Sequence, residues 1–68
     1  MEEFTTVYFT DDFDLTDQEI IMLERCIGRD ISAGGGFVNI YSRDKEIVQA
    51  FVDLVGDFYI KEVAYDVG

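Results

Sequence analysis

The stretch from Asp11 to Glu19 (Asp-Asp-Phe-Asp-Leu-Thr-Asp-Gln-Glu) constrains the fold more than any other part of the chain. Before it, Phe4 to Thr10 is β-branched and aromatic throughout, which reads as a strand. After it, apolar residues recur at helical spacing. Thr16 followed by Glu19 makes a capping box, in which the hydroxyl accepts from the Glu19 N–H and the carboxylate accepts from the Thr16 N–H. Leu15 and Ile20 flank the cap as a hydrophobic staple. Asp17 and Glu19 stand at the positive end of the helix dipole. The chain therefore turns from strand to helix here, and Gly28 predicts that the helix stops after Ile27.

Within that helix, Leu15, Ile20, Met22, Leu23, Cys26 and Ile27 form one apolar stripe, and Cys26 reads as a small core residue. Ile21 falls outside the stripe, among Asp17, Gln18, Glu24 and Arg25. Residues 29–33 predict a short edge strand, Gly34-Gly35-Gly36 a turn, and residues 37–42 a further strand. Residues 43–55 predict a second helix that turns Ile47, Val48, Ala50, Phe51, Leu54 and Val55 to the core and ends at Gly56. Residues 58–67 make the last strand. The expected fold is α+β, a β-α-β-β-α-β ferredoxin-like two-layer sandwich in one domain, with three or four strands and two helices on one face.

Size and charge narrow the function. In 68 residues, burial and the loss of chain entropy nearly cancel, so almost every large apolar residue is needed for the core. A deep catalytic cleft is hard to fit into such a chain. At 49% hydrophobic residues it is too apolar for a disordered acidic tail. Fifteen acidic side chains against five basic ones give a net charge of −10, which repels phosphate backbones and favours basic partners. With Cys26 as the single cysteine, no internal disulfide can form. No apolar run suggests a signal peptide or a membrane span, so a cytoplasmic protein is expected. Histidine is absent, which removes the commonest acid–base catalyst and metal ligand together. An enzyme, a cofactor and a metal site are not expected.

Short motifs in the acidic stretch give sharper but weaker signals. Asp12-Phe13-Asp14-Leu15-Thr16 matches the D-x-D-x-T pattern of haloacid-dehalogenase-like phosphotransferases, whose larger sheet and downstream lysine and acid pair have no counterpart here. An EF-hand loop begun at Asp12 fails, because Asp17 takes the glycine position and Leu23 the final acid position. Asp11, Asp12 and Asp14 could together hold a divalent ion weakly. The triple glycine precedes a strand rather than a helix, so it reads as a turn and not a phosphate cradle.

Val7-Tyr8-Phe9-Thr10 and Gly34-Gly35-Gly36-Phe37-Val38-Asn39-Ile40 resemble the first-strand and third-strand motifs of RNA-recognition-motif domains. The element order is also similar to a compressed member of that family. The resemblance implies that Tyr8 and Phe37 are base-stacking aromatics. The sequence departs from the family where a basic residue is replaced by Ala33, an aromatic by Gly35, and an asparagine-leucine pair by Asp11-Asp12. In size and charge alone, the chain is similar to small acidic phage inhibitors, including anti-CRISPR proteins and nucleic-acid mimics.

Two surfaces emerge as candidates. Asp17, Glu19 and Glu24 have no basic residue at helical i±3 or i±4 spacing, where an ordinary helix pairs its charges. The first candidate is therefore an acidic patch of Asp11, Asp12, Asp14, Asp17 and Glu24 around an exposed Ile21. It would meet a basic, nucleic-acid-binding protein and act as an inhibitor by imitating nucleic acid. The second is the sheet face carrying Phe4, Tyr8, Phe37 and Tyr41, through which an adaptor or subunit would bind a protein partner or a second copy of itself. A degenerate RNA-recognition module is the third reading. Direct nucleic-acid or membrane binding is not expected.

Overall fold

The computed structural model describes residues 4–65. They form a small α+β fold with one four-stranded antiparallel sheet and two helices, compatible with a two-layer sandwich. The strands are β1 (Thr5–Phe9), β2 (Ile31–Gly34), β3 (Phe37–Ile40) and β4 (Ile60–Tyr65), in the spatial order β2-β3-β1-β4. The helices are α1 (Asp17–Ile27) and α2 (Lys45–Val55).

Helix α1 starts as its sequence dictates. The Glu19 N–H donates to Thr16 Oγ1 at 3.2 Å, and the Thr16 N–H donates to Glu19 Oε1 at 2.9 Å. Gly28 closes the helix in the left-handed conformation at φ 71°, where a side chain would be strained. Asp44 caps α2 by accepting from the Glu46 N–H at 2.9 Å.

Alternation along the central strands separates two sheet faces. Thr5, Val7 and Phe9 of β1 share one face with Val38 and Ile40 of β3 and Ile31 of β2. These residues are buried with Leu23 of α1 and Val48, Phe51 and Val52 of α2, so the core lies between the sheet and the helices. Thr5 is the one buried polar residue of that set, and its hydroxyl donates to the Ser42 carbonyl at 2.8 Å. The opposite face carries Thr6, Tyr8, Phe37 and Asn39.

The structure corrects several sequence expectations. Cys26 is exposed rather than part of the core, and Met22 beside it is 64% exposed. Ala50 and Leu54 also face outward on α2, while Val52 takes the core position. The apolar stripes are wider than the strip of helix surface that the sheet can cover. Strand β3 ends at Ile40, and α2 begins after Asp44. Asp57–Tyr59 forms a short 3-10 turn instead of the start of β4, entered through Gly56 at φ 105°. Residues 66 and 67, expected to extend β4, lie outside the described residues.

Candidate functional site

The acidic loop is held down by aromatic packing. Where β1 ends, the Phe13 N–H donates to the Thr10 carbonyl at 3.1 Å, closing a turn with Asp11 and Asp12 at its exposed centre. Phe13 packs edge-on against Phe9 at 5.1 Å between ring centroids and stacks on Tyr59 at 4.5 Å. Phe9 in turn faces the buried Phe51. The Thr10 N–H donates to the Tyr59 carbonyl at 3.0 Å, and the Phe9 N–H to the Gly36 carbonyl at 2.9 Å. One aromatic side chain therefore pegs the loop to the core while its carboxylates point to solvent.

The result is an open depression of about 810 Å³ at this end of the sheet. Asp11, Asp12 and Asp14 line it together with Tyr8, Glu62, Lys61 and the Gly35-Gly36 turn. Tyr8 is 39% exposed and sits beside Glu62 across the β1–β4 pairing. On the other side of the loop, Asp11 and Asp12 border a smaller hollow with Tyr59 and Phe58, the latter 85% exposed.

The remaining residues of the acidic patch stand elsewhere. Asp17 opens α1, and Ile21 lies 49% exposed along it; neither lines the depression. Glu24 does not belong to a free acidic surface: its Oε2 accepts from the Ile31 backbone N–H at 2.9 Å and ties α1 to the start of β2. Asp14 accepts from the next residue, the Leu15 N–H, at 2.9 Å. The Thr16 hydroxyl of the D-x-D-x-T stretch is engaged in the helix cap, accepting from the Glu19 N–H. Among the described residues, no group of three or more acidic or cysteine side chains is arranged to hold a metal ion, Asp11, Asp12 and Asp14 included.

On the open sheet face, three cross-strand pairs follow one another. Tyr8 and Phe37 lie 6.1 Å apart between ring centroids. Thr6 Oγ1 donates to Asn39 Oδ1 at 2.7 Å. Phe4 and Tyr41 meet edge-on at 6.5 Å. Phe37 also supports the sheet, because its ring lies over Gly34 on β2, where a Cβ would collide with it. An aromatic ring that covers a strand glycine in this way shields the backbone that the glycine leaves bare.

Sequence reasoning missed Glu62, Lys61 and Phe58 as neighbours of the acidic loop. Their only sequence signal is the fold itself, since β4 meets the end of β1 through a pairing of distant segments. No helix among the described residues is long and apolar enough to cross a membrane. No protein-family model matches the chain, and comparisons with curated proteins and with solved structures find no match.

Proposed function

We propose that this protein binds a basic, nucleic-acid-binding surface of another protein and blocks it by presenting carboxylates where phosphates would sit. The observation that carries this reading is the depression at the end of the sheet, where Asp11, Asp12, Asp14 and Glu62 outnumber Lys61 and line one hollow together with the partly exposed Tyr8. Carboxylates beside an aromatic face suit a lysine or arginine side chain, which gains both an ion pair and a cation–π contact. A net charge of −10 steers such a partner in and repels nucleic acid itself. The element order with its β2-β3-β1-β4 sheet supports a ferredoxin-like arrangement, and a single cysteine fits a cytoplasmic setting. The protein acts in this reading by binding, as a phage inhibitor of anti-CRISPR type would, and not as an enzyme.

A second reading rests on the row of pairs Tyr8–Phe37, Thr6–Asn39 and Phe4–Tyr41 on the open face. It makes the protein an adaptor that binds a partner, or a second copy, through that face. Charge reversal separates the two. The Asp11→Lys, Asp12→Lys double variant should abolish binding in the first reading and spare it in the second. Tyr41→Ala, remote from the depression, should do the opposite.

A further inference from the structure

Resting on the binding function proposed above, we infer that the partner supplies an extended segment of alternating apolar and basic residues, which adds to the outer edge of β4 as a fifth strand. Strand β4 is at the end of the sheet, and among the described residues only β1 pairs with it. Every second backbone group of an edge strand points away from its neighbour and is open to a further strand.

The edge is bordered by a groove of about 460 Å³ between β4 and α2, with Val48, Val52, Ile60 and Val63 as its apolar floor and Gln49, Asp57, Lys61, Glu62 and Tyr65 as a polar rim. Ile60 and Val63 are only half-buried, and they share the helix side of the sheet with Phe9 and Val7, their pairing partners. Glu62, paired with Tyr8, points to the opposite face. An added strand would alternate in the same way. Its inner side chains would meet the apolar floor of the groove, and its outer ones would stand beside Glu62. Asp57 lines the groove and adds a second acid, while Lys61, at the pairing irregularity, borders both hollows. The groove and the acidic depression share Lys61 and Glu62, so a segment on β4 leads into the depression.

The test uses the full chain, isotope-labelled, with two peptides of equal composition: Val-Lys-Val-Lys-Val-Lys and Val-Val-Val-Lys-Lys-Lys. Amide exchange and chemical shifts are read by NMR at low salt. The alternating peptide should slow exchange of the outward β4 amides, shift Val48 and Val63, and bind at least roughly tenfold tighter than the block peptide. If both peptides bind equally and perturb Tyr8, Asp11 and Asp12 without protecting β4, strand addition is overturned while the acidic site stands. If neither peptide perturbs any residue, both the strand addition and the acidic-site reading fall. Protection of β4 that rises with protein concentration in the absence of peptide would assign the edge to a second copy and overturn the inference.

Discussion

The Glu24 carboxylate accepts a 2.9 Å hydrogen bond from the Ile31 backbone N–H, joining the last turns of α1 to the first residue of β2. Ile31 is buried at the edge of the core, so this bond sets where the edge strand begins. A side chain that reads as part of an acidic display is thus a fold clamp. Removing it leaves a half-buried N–H without its partner. Glu24→Ala should destabilise the protein by about 1–2 kcal/mol, measured by urea unfolding. Asp17→Lys, at the exposed first position of α1, should cost less, up to about 1 kcal/mol, by reversing a favourable charge at the helix N-terminus. Charge tests of binding therefore belong at Asp11 and Asp12 in the exposed turn and not at Glu24 or Asp17.

The capping box makes a second stability prediction. Thr16→Ala removes the acceptor for the Glu19 N–H and should cost about 1 kcal/mol. Gly28→Ala should cost a similar amount, about 1 kcal/mol, through backbone strain alone, because nothing lies within 4 Å of the added Cβ. Thermal unfolding followed by circular dichroism checks both.

Two phenylalanines give opposite expectations. Phe51 is fully buried and packs against Phe9, so Phe51→Ala should cost roughly 3–5 kcal/mol, enough to unfold much of so small a domain. Phe58 is 85% exposed, and Phe58→Ser should leave stability within about 0.5 kcal/mol. If Phe58→Ser weakens partner binding without moving the unfolding midpoint, the hollow between the acidic loop and the 3-10 turn is part of the contact.

Gly34 and Phe37 are coupled across the β2–β3 pairing. In Gly34→Ala the new Cβ displaces the Phe37 ring, which can swing toward solvent because it is only half-buried. The stability loss should therefore stay below about 1 kcal/mol. The Tyr8 and Phe37 ring resonances should still shift, which NMR can follow. Because Tyr8 belongs to both the open sheet face and the acidic depression, a partner seated on either should feel this variant, so the two readings are separated at Tyr41 and at Asp11 and Asp12 instead.

Local signals wrote much of this fold into the sequence. The strand from Thr5, the start of α1 at the Thr16 cap, its end at Gly28 and the hairpin at Gly35-Gly36 are all set by residues close in the chain. The separation of Tyr8 and Phe37 from Val7 and Val38 follows from strand alternation. What depended on packing was less legible. Periodicity gave the direction of each apolar stripe but not its buried width, so Met22, Cys26 and Leu54 looked like core residues and are exposed. Phe58-Tyr59 has the composition of a strand, yet tertiary context coils it into a 3-10 turn against Phe13. The site suffered most from this, because Glu24 is taken up by a bond to a residue seven positions away and Glu62 arrives from the far end of the chain.

If Asp11 and Asp12 compete for a basic surface that otherwise holds nucleic acid, the free chain must displace that nucleic acid. The most direct measurement takes host proteins retained by immobilised wild-type chain and titrates their nucleic-acid binding with the free chain at several salt concentrations. The wild type should displace the nucleic acid, with an affinity that falls steeply as salt rises, and the Asp11→Lys, Asp12→Lys variant should be weaker by at least roughly tenfold. Equal displacement by the folded double variant, or retained partners that bind no nucleic acid, would rule out competition by Asp11 and Asp12.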